Sequence, residues 1–103
     1  MNNDKFLLES EKAIARSNKL LVKKNLTYTF NDDRLGNFKQ VGDMELCSST
    51  RPLMSMMNKH VARMAIMVKD PTSHSRKEWN AVLDDIRNYT LLCDALLIDL
   101  GVE

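Results

Sequence analysis

Apolar residues recur at steps of three and four along three long stretches of the sequence, residues 3–24, 51–69 and 76–100. Because this spacing puts them on one face of an α-helix, it predicts three main helices. Three Gly and two Pro are too few for a turn-rich β-sandwich or a disordered chain. We therefore predict an all-α fold, a compact helical bundle in a single domain that spans residues 1–103.

Local signals set the ends of two of these helices. Ser75 and Glu78 have the spacing of a capping box, in which each side chain satisfies a backbone N–H of the other residue. Gly101 follows the last apolar residue and permits the left-handed backbone that commonly ends a helix. Pro71 ends the preceding helix, since the residue before a proline is disfavoured in helical geometry.

Residues 25–42 differ in composition, because they mix turn-forming residues with aromatic ones. We expect an ordered loop in this stretch, followed by one short helix near residues 33–41. Asp32 or Asp33 would cap the short helix, and Gly42 would end it.

The first long helix carries a seven-residue repeat, in which Leu7, Ile14 and Leu21 form one apolar stripe. Ser10 and Ser17 fall on the same stripe, between the large residues. Small side chains at these positions allow another helix to approach closely, so we interpret both serines as packing residues.

Residues 51–69 carry a second apolar stripe, which methionines widen. The stripe consists of Leu53, Met57, Val61, Met64 and Val68, with Met54, Met56 and Met67 beside it. We expect this helix to be buried over much of its circumference, with its methionines filling a core or a dimer seam rather than an adaptable groove for a partner. Because three broad apolar faces exceed what one short chain covers, we predict a homo-oligomer built on this helix and the first one.

The charged residues are balanced overall but divided along the chain. Fifteen Lys and Arg against fourteen Asp and Glu argue against a general nucleic-acid or membrane-surface binder. Residues 51–77 carry six basic and one acidic residue, whereas residues 78–103 carry one basic and six acidic residues. A short loop makes these two helices antiparallel neighbours, and their opposite charges favour the pairing.

The sequence has no apolar run of the length that a membrane span or a signal peptide needs, so we predict a cytoplasmic protein.

Cys47 and Cys93 lie far apart, and the histidines do not complete a zinc-ligand spacing with them. We expect two reduced structural thiols, with no bound metal and no cofactor.

A pair of cations forms the first candidate ligand site. Lys59 and Arg63 lie four residues apart, beside His60, and therefore project from one side of their helix. Such a pair can hold a phosphate, because Arg offers a bidentate fork and Lys a point charge. Ion pairing with the acidic last helix is the alternative interpretation.

The second candidate lies in the last helix, where Asp85, Asn88 and Tyr89 follow Asp84. Their spacing of three and four puts them on adjoining turns of one edge. Asp85 borders the buried stripe and needs a partner, which the cation pair of the preceding helix could supply. The group could contact a ribose or a metal, or it could form an interhelix salt bridge.

Aromatic residues between the first two long helices form the third candidate. Tyr28 or Phe30 can stack on a nucleobase, and Asn37 can read its polar edge. Alternatively, Tyr28 and Phe38 fasten this irregular segment to the helical core.

Taken in order along the chain, these features resemble a known family. The matching positions are Lys24, Tyr28, Asp32, Asp33, Asn37, Phe38, Lys59, Arg63, Asp85, Asn88 and Tyr89. They resemble the small nucleotide-modification-associated domains that are common in bacteriophages and are distantly similar to all-α nucleotide pyrophosphohydrolases of the MazG type. The resemblance covers residues 19–97, and it implies an all-α fold, a phage source and a nucleotide ligand.

The chain departs from MazG-type hydrolases in its carboxylates. Those enzymes hold magnesium with an ExxE pair and an ExxD pair, whereas here Glu9 and Glu11 are two residues apart, and Glu78 and Asp85 are two helical turns apart. We therefore predict binding of a phosphorylated nucleotide without turnover, for nucleotide modification or for sequestration of a defence signal. A protein interaction module that inhibits a host enzyme is the alternative, and a magnesium-dependent pyrophosphohydrolase is less favoured.

Overall fold

A computed structural model describes residues 1–24 and 32–103, which form four α-helices and one short 3-10 turn. The helices are α1 (Asn3–Lys23), α2 (Gly36–Met44), α3 (Thr50–Met67) and α4 (Arg76–Asp99), and the 3-10 turn is Pro71–Ser73. The predicted all-α bundle of three long helices and one short one is confirmed. The expected loop with Tyr28 and Phe30 lies outside the described residues.

The ends of α1 and α4 follow the local signals of the sequence. At the start of α1, the side chain of Asn2 accepts a hydrogen bond from the backbone N–H of Lys5 at 2.8 Å. At the start of α4, both hydrogen bonds of the Ser75–Glu78 capping box are present. After α4, Gly101 has φ 75°, in the left-handed region that favours glycine. The predicted box and glycine exit are therefore confirmed.

The central helix is α4, because α3 packs along one side of it and α1 packs along another, while α2 packs on α3. The core lies where α2, α3 and α4 meet, and its buried residues are Leu35, Phe38, Leu53, Tyr89, Leu92 and Leu96. Arg63, near the end of α3, lies beside Glu78 in the first turn of α4. The basic and acidic helices are thus antiparallel neighbours, as their charges predict.

The short helix α2 differs from the prediction at both ends. It begins at Gly36 rather than near residue 33, because Asp33 does not cap the helix. Its Oδ1 instead accepts a hydrogen bond from the backbone N–H of Leu35 at 2.9 Å and closes a turn before the helix. Gly42 does not end α2 but lies buried within it, where a Cβ atom would come within 3.0 Å of the Cys47 carbonyl oxygen. Position 42 is occupied by glycine because the backbone of Cys47 and Ser49 approaches it too closely for a side chain.

The methionine-rich helix α3 is less buried than its composition suggests. Leu53 and Met67 are buried, whereas Val61 and Val68 of the predicted stripe are 41% and 52% exposed. The inner line of α3 runs through Leu53, His60 and Met67 at seven-residue steps, one position away from Val61 and Val68. Within the single chain, the prediction of burial over much of the circumference is therefore wrong, since α2 and α4 cover only one side of the helix.

The first half of α1 extends beyond the packed helices. Ser17 is buried against α4, but Phe6, Leu7, Leu8 and Ile14 are each at least half exposed. The chain measures 44 × 28 × 27 Å along its principal axes. In residues 1–24 and 32–103, there is no helix of the length and apolar content required to cross a membrane.

Candidate ligand site between the first and last helices

The predicted phosphate-binding pair lies on the outer side of α3. Lys59 is exposed, and the Arg63 guanidinium lies 3.6 Å from the Glu78 carboxylate. Neither side chain lines the cavity of about 500 Å³ beside Leu53 and Cys93 or the cleft of about 610 Å³ between α1 and α4. For Arg63, the contact with α4 matches the alternative interpretation, ion pairing with the acidic helix.

The structure brings Asp85, Asn88 and Tyr89 together, with Lys24 and His60 as their neighbours. Asp85 lies 3.5 Å from the Lys24 ammonium and 3.4 Å from His60 Nδ1. The rings of His60 and Tyr89 stand 5.3 Å apart between centroids, at a tilt of 35°. The expectation that Lys59 or Arg63 neutralises Asp85 is therefore wrong, because His60 lies on the inner line of α3 and the two cations do not.

The space beside this group is small. The cavity lined by Lys24, Asp85, Asn88 and Tyr89 holds about 10 Å³, close to the volume that a single water needs. Asn88 is buried, and its Oδ1 has no hydrogen-bond partner in the described part of the chain. Of these residues, Lys24 and Asp85 also border a large cleft, which α1 and α4 form.

Of the three residues predicted for base recognition, one lies apart from that cleft and two fall outside the described residues. Asn37 is half-buried in the first turn of α2, next to the core residue Phe38. Phe38 is 1% exposed, which agrees with its alternative role of fastening the segment to the core. Tyr28 and Phe30 fall outside the described residues.

A buried carboxylate network joins α1 to α4, and it is centred on Asp84. The Nε atom of Arg16 donates to both carboxylate oxygens of Asp84, at 3.1 and 2.9 Å. Arg87 Nη1 donates to Oδ1 of the same carboxylate at 2.8 Å. Since the Asp84 side chain is 7% exposed, these two guanidinium groups supply the compensation that a buried negative charge requires.

Ser17 completes this network and does more than provide packing space. Its hydroxyl lies 3.4 Å from Asp84 Oδ1 and accepts a hydrogen bond from Arg87 Nη1 at 2.6 Å. Sequence reasoning missed this role and favoured Asp85 over Asp84. The available signal was a small polar residue on an apolar stripe, together with an Asp and an Arg three residues apart in the last helix.

An open cleft of about 610 Å³ lies between α1 and α4, next to this network. Its lining residues are Arg16, Lys19, Leu20, Lys23, Lys24, Lys77, Asn80, Ala81, Asp84 and Asp85. Ligand pockets commonly have volumes of roughly 300–1,000 Å³. The cleft therefore has the size of a small-molecule site.

The cleft carries an excess of positive charge. Its two carboxylates are already paired, Asp84 with Arg16 and Arg87 and Asp85 with Lys24. Lys19, Lys23 and Lys77 lie within 4.0 Å of no carboxylate in residues 1–24 and 32–103. Three lysines that line one cleft give it a positive potential, which attracts anions.

The described residues contain no group of three or more His, Cys, Asp or Glu side chains that could hold a metal ion. Cys47 and Cys93 are both free thiols.

No protein-family model, no curated protein and no solved structure matches this chain. The resemblance to phage nucleotide-modification-associated domains therefore stays a prediction from the sequence.

Proposed function

We propose that the chain binds a phosphorylated small molecule in the cleft between α1 and α4, and that this ligand is a nucleotide. The observation that carries the proposal is the group of three lysines, Lys19, Lys23 and Lys77, without carboxylate partners in the described part of the chain. The positive charges of these lysines repel one another, and a phosphate with two or more negative charges would relieve that repulsion.

Each part of the cleft has a role in this proposal. The three ammonium groups contact the phosphates as point charges. Leu20 and Ala81 supply apolar surface for the rest of the ligand. Asn80 supplies an amide, whose Oδ1 is buried and lacks a hydrogen-bond partner in residues 1–24 and 32–103. Amides both donate and accept hydrogen bonds, as recognition of a base or a sugar requires.

The proposal moves the phosphate contacts from α3 to α1 and α4. The sequence prediction puts the phosphate on Lys59 and Arg63, but Arg63 lies beside Glu78 and neither residue lines the cleft. Lys24 and Asp85 belong to the residues that carry the family resemblance, and both line the cleft. A nucleotide ligand, a phage source, a cytoplasmic location and base stacking by Tyr28 or Phe30 rest on the sequence prediction. Binding without turnover is the form that the missing carboxylate pairs favour.

A thermal-shift series tests the proposal with three probes: a nucleoside triphosphate, inorganic pyrophosphate and an unphosphorylated nucleoside. At about a hundredfold excess over its Kd, a ligand stabilises a protein by roughly 2.7 kcal/mol. In a domain of this size, the triphosphate should therefore raise the Tm by about 10 °C. We expect a smaller rise with pyrophosphate and no rise with the nucleoside.

Charge-removal variants locate the site. The double variant Lys19→Ala/Lys23→Ala should weaken triphosphate binding by about tenfold, because it loses two exposed ion pairs of roughly 0.7 kcal/mol each. The matched control is Lys59→Ala/Arg63→Ala, which removes the same charge from α3 and should bind like the parent. If the control loses binding and the α1 variant keeps it, the site is the cation pair of α3. If none of the three probes raises the Tm, the proposal is wrong.

The alternative function, a protein interaction module acting through charged helical faces, has less support from the geometry. The basic face of α3 and the acidic face of α4 are partly used inside the chain, where Arg63 lies beside Glu78 and His60 beside Asp85. A stoichiometric complex with a host enzyme that survives the α1 charge removal would favour this alternative.

A further inference from the structure

Asp85 is shared by two basic side chains that come from different helices. Its Oδ1 lies 3.5 Å from the ammonium group of Lys24, the residue that follows α1. Its Oδ2 lies 3.4 Å from Nδ1 of His60, on α3. One carboxylate therefore faces an ammonium group on one side and, on the other, an imidazole ring that is charged only when it is protonated.

The two contacts make the charge of this group depend on pH. Histidine is the side chain whose charge ordinarily changes between pH 5 and pH 8. When His60 is neutral, Lys24 and Asp85 cancel each other, and the three residues together carry no net charge. When His60 is protonated, the same residues carry one positive charge, since a single carboxylate then faces two cations.

The other groups around His60 do not alter this count. On α4, the ring of Tyr89 stands 5.3 Å from the imidazole between centroids. On α3 itself, Lys59 and Arg63 occupy neighbouring positions. Side chains of these three types ordinarily keep one charge state between pH 5 and pH 8. In residues 1–24 and 32–103, Asp85 is the one carboxylate within 4.0 Å of His60.

The added charge is felt in the proposed ligand cleft, because Lys24 and Asp85 both line it. The Lys24 side chain is 46% exposed, so it can turn from Asp85 toward an anion in the cleft. The cavity that these two residues line with Tyr89 and Leu92 holds about 10 Å³. It has room for a single water and none for a counter-ion. The cleft is therefore where an anion can meet the charge that His60 adds.

We propose that His60 makes ligand binding in this cleft dependent on pH: its protonation engages Asp85, releases Lys24 and strengthens the binding of a phosphorylated ligand. This inference rests on the proposed function, because it concerns the regulation of the same cleft. Above the pH at which His60 takes up its proton, Lys24 stays paired with Asp85. Below that pH, the border of the cleft gains one positive charge, and an anionic ligand is held more tightly.

Calorimetric titration with a nucleoside triphosphate, near pH 8 and near pH 5.5, tests the proposal. Because the triphosphate takes up a proton of its own in this range, the quantity to compare is the change in Kd of the parent against that of His60→Gln. This variant keeps a neutral polar side chain and experiences the same titration of the ligand. On acidification, binding to the parent should strengthen by about fivefold more than binding to His60→Gln, since one added charge acts on several phosphate charges across a solvated cleft.

Two further variants separate the parts of this mechanism. The matched control is His74→Gln, which removes the other histidine, beside Glu78 and outside the cleft lining. It should keep the pH dependence of the parent. Asp85→Asn should bind the triphosphate about fivefold more tightly than the parent near pH 8, because Lys24 is then released at every pH.

Proton NMR of the two imidazole rings gives a second readout that needs no change at His60. Coupling between two binding events is reciprocal. Saturating triphosphate should therefore raise the pH at which His60 takes up its proton by about 0.7 pH unit, the same fivefold factor, and leave His74 unchanged.

The outcomes distinguish this inference from the proposed function. If the triphosphate binds, but the parent and His60→Gln respond equally to pH and the titration of His60 does not move, the inference is wrong and the ligand site stands. If the triphosphate binds at neither pH, both are wrong.

Discussion

The two sides of α4 carry different kinds of residue, apolar ones on one side and charged ones on the other. Toward α2 and α3, it buries Tyr89, Leu92 and Leu96 in an apolar core that also contains Phe38. Toward α1, it buries Asp84 among guanidinium groups and borders a lysine-lined cleft. One side excludes water through close apolar packing, and the other fixes charges in place through hydrogen bonds.

This difference suggests that the core side of α4 provides stability, whereas the side that faces α1 also provides ligand recognition. Apolar burial stabilises a fold without regard to direction, whereas a buried ion network adds little net stability, because the cost of removing its charges from water offsets their attraction. The network around Asp84 sets α1 against α4, and this placement brings Lys19 and Lys23 opposite Lys77. We therefore expect changes on the core side to affect stability alone and changes on the α1 side to affect binding as well.

The largest expected effect comes from the core side. Leu96 is fully buried, so Leu96→Ala should lower the free energy of unfolding by about 3 kcal/mol through lost burial and a new cavity. Leu91→Ala is the control on the same helix, and it should cost less than about 1 kcal/mol because Leu91 is 40% exposed. Urea denaturation measures both, and equal losses would show that the core does not lie on this side of α4.

A smaller effect is expected from the network itself. Asp84→Ala leaves Arg16 and Arg87 without their carboxylate, and it should lower the free energy of unfolding by about 2 kcal/mol, since both guanidinium groups retain some access to water. Asp85→Ala serves as the comparison and should cost less, because that side chain is 22% exposed. A larger loss for Asp85→Ala would contradict the assignment of Asp84 as the carboxylate that joins the two helices.

Comparison with the sequence predictions shows which features depend on local signals. The helices and the capping box were predictable, because apolar spacing and Ser75–Glu78 act over a few residues. The start of α2 and the role of Gly42 were not, since Gly42 is required by the approach of Cys47. Nor could the sequence decide between Asp84 and Asp85, because that choice depends on where α1 lies against α4.

The sequence does not predict the cleft between α1 and α4, for a similar reason. Lys19 and Lys23 are four residues apart, the same spacing that drew attention to Lys59 and Arg63. What distinguishes the two pairs is Lys77, which lies more than fifty positions away in the sequence. Only the packing of α1 on α4 brings this third lysine to the first two.

The smallest expected effect is the pH dependence of the α4 capping box. The hydrogen bond from the Ser75 backbone N–H, and then the contact with His74, hold the pKa of Glu78 below its ordinary value of 4.5. A carboxyl group with a lowered pKa stabilises the fold above that ordinary value, and the contribution is lost as the pH falls through the lowered pKa. Arg63 and His74 face this carboxylate.

Glu78→Gln keeps the shape of the capping side chain without its charge. At pH 7 the parent should therefore melt at a slightly higher temperature than Glu78→Gln, and the difference should shrink as the pH falls below 4.5. Melting curves between pH 3 and pH 7 measure it. A difference that grows on acidification would show that the carboxylate destabilises the fold.

The most direct test of the central claim is to map where a phosphorylated ligand binds. Backbone amide NMR signals of the ¹⁵N-labelled protein would be followed during titration with pyrophosphate and with a nucleoside triphosphate. We predict that the largest shifts occur at Lys19, Lys23, Lys77 and Ala81, on the two walls of the cleft. Shifts centred on Lys59 and Arg63, or no shifts with either probe at millimolar concentration, would contradict it.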